Sequence, residues 1–287
     1  MGKAILAAAR CIRRFRPHVL VGVGGYGTVP PALAARAMGV PFVLLEQNAR
    51  PGKANRFLAP AAGRIYVQWD SARSAFPGCG SRVVATGSPI RAHLRRMPRP
   101  RALRRFGLEA DRPTLVVVGG SQGADALNHG ALAGLDGTAS KIQIIHVTGA
   151  GKVEAVRAAY REKGARAAVL EFVSEMDALY SAADLLVSRA GAMAIAEISA
   201  FEVPSVLVPI PRSSGDHQRE NARAVARAGG AVLMEEADCL AGGLAPLLRK
   251  LVSGDAMFDN MRKHLKPFAR PRAARAILDD LGEFLVR

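Results

Sequence analysis

The sequence predicts an α/β protein of two Rossmann-like parallel-sheet domains, the first of them truncated. Three observations carry this. Short β-branched runs alternate with Ala- and Arg-rich stretches of helical length, the pattern of parallel strands joined by crossover helices. The runs are nearly continuous in apolar residues, as strands buried on both faces are. A Pro- and Arg-rich stretch, Arg95–Pro113, then divides the series into four strands before it and six after it, which marks an interdomain linker with a short helix.

Element by element, the chain opens on a helical stretch, Lys3–Arg16. Strands are expected at His18–Val23, Phe42–Glu46, Arg64–Val67 and Arg82–Ala85, then at Thr114–Val118, Gln143–Thr148, Ala168–Phe172, Asp184–Ser188, Ser205–Val208 and Ala231–Met234. Helices are expected at Pro30–Met38, Ala124–Leu132, Val153–Lys163, Ala192–Phe201 and Gln218–Ala228. Pro267–Pro271 precedes a closing helix, Ala273–Phe284. Six strands suffice for a complete doubly wound domain. A Rossmann-type unit normally begins with a strand and a glycine-rich turn, whereas this chain begins with a helix, so its first half reads as incomplete. The expected partition is residues 1–98, residues 99–270 and a closing helix over residues 271–287.

Composition excludes several classes. With 287 residues, 49% of them hydrophobic, the chain can bury one large or two modest cores. Its longest apolar runs, such as Leu115–Val118 and Val206–Ile210, are too short to cross a bilayer. A secretory signal is not expected, because Ala4–Ala9 is broken at once by Arg10, Arg13, Arg14 and Arg16. Cys11, Cys79 and Cys239 are isolated, which fits a reducing compartment better than a disulfide frame or a zinc site. The net charge of +16, from 40 Lys and Arg against 24 Asp and Glu, favours an anionic partner. Nucleic acid is disfavoured: aromatics make up only 5%, the basic residues are scattered and no RNA- or zinc-finger-type motif is present.

The chemistry gathers in four glycine-rich turns, each directly after an expected strand. Thr114–Val118 runs into Gly119-Gly120-Ser121-Gln122-Gly123, where glycines allow close backbone approach and the next helix offers N–H groups to an anion. A plain tight turn explains that motif equally well. Leu185–Ser188 leads to Arg189-Ala190-Gly191-Ala192 and a helix carrying Glu197. A carboxylate there can accept from both ribose hydroxyls of a nucleotide, or merely complement the helix dipole; turn and carboxylate together favour the nucleotide. After Ser205–Val208 come Gly215, Asp216, His217, Gln218 and Asn221, polar groups at the carboxyl edge of the sheet. His217 alone is more often a capping or surface residue than a catalyst. In the first half, Gly24-Gly25-Tyr26-Gly27 follows one strand, Glu46-Gln47-Asn48 ends the next, and Arg91 follows Thr86-Gly87-Ser88. Taken singly, Glu46 and Arg91 read as surface charges.

The ordered set GGYGT, LLEQN with PGKANRFLA, TGSPIR, VVVGGSQGADALN, EFVSEMDALYSAADLLVSRAGAMAIAEI and PIP…DHQRENA resembles the MurG family, the N-acetylglucosaminyltransferases of peptidoglycan lipid synthesis, from about Val19 to the C-terminal helix. The resemblance implies a GT-B fold, two Rossmann-like domains facing a cleft, with the first on the acceptor and membrane side and the second binding the donor. It implies inverting transfer of N-acetylglucosamine from UDP-N-acetylglucosamine to undecaprenyl-linked lipid I, giving lipid II, without metal or cofactor. By motif position, Asn48, Arg91 and Ser121 would contact the donor, and Val173 would meet uracil through its backbone. Ala192, Met193, Ala194, Ile195, Ala196 and Glu197 would hold diphosphate and ribose, Glu197 on the ribose hydroxyls, while Gln218 would reach the sugar. Tyr26 and Glu46 would face the acceptor and are the candidates for catalysis. The family's first glycine-rich loop, with its histidine, has no counterpart here, and Ala190 and Ala194 stand where hydroxyl residues are common.

The opening stretch sets Ile5, Leu6, Ile12 and Phe15 among Arg10, Arg13, Arg14 and Arg16. That pattern suits either an anionic membrane surface, at the cytoplasmic face where a lipid-linked acceptor would be met, or a basic helix packed on the sheet. Two other readings stay open: a GT-B enzyme with a diacylglycerol acceptor, and a UDP-sugar-binding remnant.

Overall fold

A computed structural model describes every residue except Ser121, Arg212, Ser213 and Arg287. The chain forms two compact units, residues 1–90 with 270–287 and residues 91–269.

In the first unit, α1 (Gly2–Phe15), β1 (Leu20–Gly22), α2 (Val29–Ala37), β2 (Phe42–Glu46), α3 (Lys53–Leu58), β3 (Arg64–Val67) and β4 (Val83–Ala85) build a four-stranded parallel sheet in the order β1-β2-β3-β4. Helix α1 is amphipathic: Ile5, Ala8, Ala9 and Ile12 pack against Ala34, Ala35 and Met38 of and beside α2. Its apolar face therefore lies chiefly on α2, with Leu20 of β1 and Val40 in the same cluster. Leu6 and Phe15 are left exposed.

The second unit contains α4 (Arg99–Arg104), β5 (Thr114–Val118), α5 (Asp125–Ala133), β6 (Gln143–Val147), α6 (Val153–Glu162), β7 (Arg166–Leu170), α7 (Met176–Ala182), β8 (Leu185–Ser188), α8 (Ala192–Phe201), β9 (Ser205–Leu207), α9 (His217–Arg227), β10 (Ala231–Leu233), α10 (Glu236–Leu240), α11 (Ala245–Ser253) and α12 (Met257–Leu265). Its six strands are all parallel, in the order β10-β9-β8-β5-β6-β7. From β5 the chain moves outward through β6 and β7, then returns to place β8 on the other side of β5. The order reverses between β5 and β8, where open α/β sheets leave a crevice at their carboxyl ends.

Strand β7 begins two residues before the expected Ala168. It is an edge strand paired only to β6, mostly half-buried, so Arg166 sits comfortably at its start and the aromatic Phe172 falls in the following loop. The Arg-rich stretch before β5 belongs to this unit because its arginines fasten it there. Arg99 Nη2 donates to Asp184 Oδ2 (2.6 Å) and Arg112 O (2.7 Å), and Arg96 Nη2 donates to Phe201 O.

The last helix, α13 (Ala273–Val286), belongs to the first unit. Ile277, Leu281 and Phe284 recur at helical spacing and pack with Val43, Leu45, Tyr66 and Val84. Gly63 makes room for the ring: a Cβ there would lie 2.3 Å from Phe284 Cζ. Asp280 accepts from the Tyr66 hydroxyl (2.8 Å) and Arg64 Nε (3.0 Å); burial, and then Asp280, push the Tyr66 phenol well above its ordinary pKa. Among the described residues no helix is long and apolar enough to cross a membrane.

Candidate functional site

The turns flanking the reversal point are built differently. After β5, the glycines are demanded by packing. A Cβ on Gly119 would lie 2.4 Å from Ala124 N, and one on Gly123 (φ 69°) would lie 2.1 Å from Thr148 O. The turn thus rests on the Thr148–Gly149 backbone, which a buried polar chain fixes in turn. Asn128 Nδ2 donates to Thr148 O (3.3 Å), so Asn128 Oδ1 accepts from His146 Nε2 (2.9 Å) and His146 Nδ1 accepts from the Tyr160 hydroxyl (2.7 Å). Burial drives the His146 pKa down to about 3, so the ring is neutral and this single tautomer satisfies every member. The sequence drew no attention to this cluster, because a histidine inside an apolar strand carries no motif. Ser121, expected at the donor, lies outside the described residues.

After β8, the glycine answers no packing demand. Gly191 has φ −64°, and a Cβ there would meet no heavy atom within 4 Å. It is the N-cap of α8, and no side chain caps that helix. The N–H of Ile195 bonds to Gly191 O, while those of Ala192, Met193 and Ala194 have no intrahelical acceptor. Three N–H groups with no acceptor among the described residues, the positive end of a helix dipole and open space beside Gly191 are features that favour an anion. The turn is held from behind. Arg189 donates to Val208 O and Pro209 O (both 3.3 Å) and pairs with Glu236 (2.5 Å), and Asn221 Nδ2 donates to Ala190 O (3.4 Å). Of the run expected around the diphosphate, Ile195 and Ala196 turn into the core, leaving Ala192, Met193 and Ala194 at the opening.

Glu197 is half-buried on the same helix, and its Oε2 accepts from the Tyr180 hydroxyl at 2.9 Å. Burial raises the Tyr180 pKa well above normal, Glu197 adds to the rise and the positive charge of exposed Arg91 opposes it. Arg91 is thereby within electrostatic reach of this pair. Val173 follows β7, half-buried beside exposed Phe172, and its backbone N–H and C=O bond to no other described residue. Gln218 is the second residue of α9 and spends its amide oxygen on Ile210 N–H (3.1 Å), so toward a ligand it offers N–H donors.

In the first unit, Glu46 is only 2% exposed. Its Oε1 accepts from the N–H (3.0 Å) and Nδ2 (3.1 Å) of Asn48, and its Oε2 from Gly52 N–H (2.9 Å) and Asn55 Nδ2 (2.9 Å). The carboxylate shapes the Gln47–Gly52 loop and orients Asn48. Tyr26, 79% exposed, follows Gly24 and Gly25, and Gly24 lies directly against Asn55.

Residues 114–276 match the glycosyltransferase family 28 C-terminal domain, and residues 1–67 match its N-terminal domain. The protein named UDP-N-acetylglucosamine--N-acetylmuramyl-(pentapeptide) pyrophosphoryl-undecaprenol N-acetylglucosamine transferase from Symbiobacterium thermophilum is 37% identical over 276 residues, 96% of this chain and 74% of that protein. The protein of the same name from Myxococcus xanthus is 34% identical over 287 residues, covering 99% and 73%. The crystal structure of Acinetobacter baumannii MurG superposes with a TM-score of 0.80 at 30% identity, over 97% of this chain and 78% of that one. The chain belongs to the MurG family. As expected of a MurG-family glycosyltransferase, it carries two parallel-sheet α/β domains of the GT-B class. The opening at Gly191 lies in the part that matches the C-terminal domain of family 28.

Proposed function

We propose that this chain transfers N-acetylglucosamine from UDP-N-acetylglucosamine to lipid I with inversion, forming lipid II. Family membership supports the reaction, and one structural observation supports the donor site: the uncapped start of α8 at Gly191, with Glu197 on the same helix. In this reading the N–H groups of Ala192, Met193 and Ala194 bind the diphosphate, and Glu197 accepts from the ribose hydroxyls. The unpaired backbone of Val173 reads the uracil edge, with Phe172 offering a ring face to the base. Gln218 and Arg91 of the same unit contribute polar contacts to the sugar nucleotide.

In the transfer, an acceptor hydroxyl attacks the anomeric carbon from the face opposite UDP. The bond from that carbon to the β-phosphate oxygen breaks and UDP departs with the electron pair. Negative charge grows on the β-phosphate, and fixed N–H dipoles stabilise it at no cost of reorganisation during the step. The attacking hydroxyl releases its proton to solvent, so the products are lipid II, UDP and a proton. The four hydrogen bonds that Glu46 accepts suit it to orienting Asn48 rather than to reacting.

Exposed Leu6 and Phe15, with Lys3, Arg10, Arg13, Arg14 and Arg16, support peripheral contact with an anionic membrane surface, at the cytoplasmic face where lipid I would be met. The test is transfer of labelled sugar from UDP-N-acetylglucosamine to a lipid I analogue and to diacylglycerol. Labelled lipid II is the expected product. Label on diacylglycerol alone, or on neither acceptor, overturns the reading.

A further inference from the structure

We propose that Tyr180 is a positioning residue for nucleotide recognition, its phenol fixing the Glu197 carboxylate by one oxygen and leaving the other for the ribose. The inference rests on the reading of Glu197 as the ribose contact. Tyr180 comes from α7 and Glu197 from α8, so the bond between them joins two separate elements. The phenol is held at both ends. Its ring packs on Phe201 of α8, centroids 5.2 Å apart, and its hydroxyl reaches Glu197 Oε2 at 2.9 Å. Among the described residues no donor of the chain reaches Oε1.

A glutamate on a helix surface samples many rotamers, and ordering it on binding costs conformational entropy. A buried, immobile donor removes that cost before the nucleotide arrives, and a hydrogen bond to a charged acceptor is among the stronger kinds. The phenol stays protonated at any pH at which the protein is assayed, because burial and Glu197 both raise its pKa. Tyr180 is therefore a permanent donor and takes no part in proton transfer.

The test measures the dissociation constants of UDP and 2′,3′-dideoxy-UDP, which lacks both ribose hydroxyls, by calorimetry. Wild type is compared with Tyr180→Phe, Glu197→Ala and Phe201→Leu, with thermal unfolding recorded for each. Tyr180→Phe keeps the ring and should weaken UDP about tenfold, the scale of a lost hydrogen bond to a charged group. It should leave the dideoxy analogue within about twofold, so the preference for ribose collapses. Phe201→Leu disturbs the packing but keeps the phenol and should preserve the preference. If Tyr180→Phe weakens both ligands equally, or neither, Tyr180 only packs and the proposal is overturned. If Glu197→Ala itself leaves the preference intact, the ribose reading fails and this proposal fails with it. Collapse in Glu197→Ala without collapse in Tyr180→Phe removes the positioning role alone.

Discussion

Replacing Glu46 by glutamine separates an orienting carboxylate from a reacting one. Each carboxylate oxygen accepts two hydrogen bonds, from Asn48 N–H and Nδ2 on one side and from Gly52 N–H and Asn55 Nδ2 on the other. Glutamine turns one of those oxygens into an NH2 group that faces two donors. At 2% exposure water cannot take over the lost role. Two bonds to a charged group, each contributing about 1.5–3 kcal/mol, are lost, so Glu46→Gln should destabilise the first unit by about 3–6 kcal/mol. That is a large share of a domain stability of about 5–15 kcal/mol. Trp69 is the chain's one tryptophan, and its Nε1 donates to Gln47 O (2.9 Å) in the same loop, so its fluorescence during urea unfolding reports the loss directly. An unchanged urea midpoint together with abolished transfer would refute the reasoning and make Glu46 the proton acceptor.

Other consequences follow from the second unit. A Cβ on Gly191 meets no heavy atom within 4 Å, so in Gly191→Val stability should change by no more than about 1 kcal/mol, while UDP affinity measured by calorimetry falls at least about tenfold; equal affinity would place the anion elsewhere. Gly123→Ala combines φ 69° with a contact at 2.1 Å to Thr148 O, and it should cost at least about 2 kcal/mol in denaturant unfolding, with no loss contradicting the close packing. His146 has a folded pKa of about 3 against an ordinary 6.5, so the unfolded chain binds the proton more readily. Its contribution is full above pH 6.5 and declines as the pH falls from 6.5 towards 3, about 2 kcal/mol between pH 7 and pH 5. Stability measured against pH should show that slope in wild type and lose it in His146→Gln.

What the sequence made legible tracks what local pattern encodes. The alternation of apolar runs with helical stretches is written residue by residue, because each parallel strand is buried on both faces. The four-strand and six-strand sheets follow from it. The Gly191 turn and Glu197 were legible for the same reason, since a strand, a turn and a helix start lie together in one stretch of chain. Long-range partners were not. Tyr180 lies 17 residues before Glu197, and no spacing rule joins a phenol on one helix to a carboxylate on the next. Glu46 reads as a strand-end charge until the Asn48, Gly52 and Asn55 donors close around it. The helix Ala273–Val286 was legible as an element, but its membership of the first unit depends on Tyr66 and Arg64, more than two hundred residues earlier.

Amide hydrogen exchange at the start of α8 bears most directly on the central claim. Ala192, Met193 and Ala194 have N–H groups with no intrahelical acceptor and should exchange fast in the free protein, whereas Ile195, bonded to Gly191 O at 3.0 Å, serves as an internal reference. With UDP bound, those three amides should slow markedly, and uridine, which lacks the diphosphate, should leave them fast. Protection that is absent with UDP, or equal with uridine, would contradict a diphosphate seated on this helix.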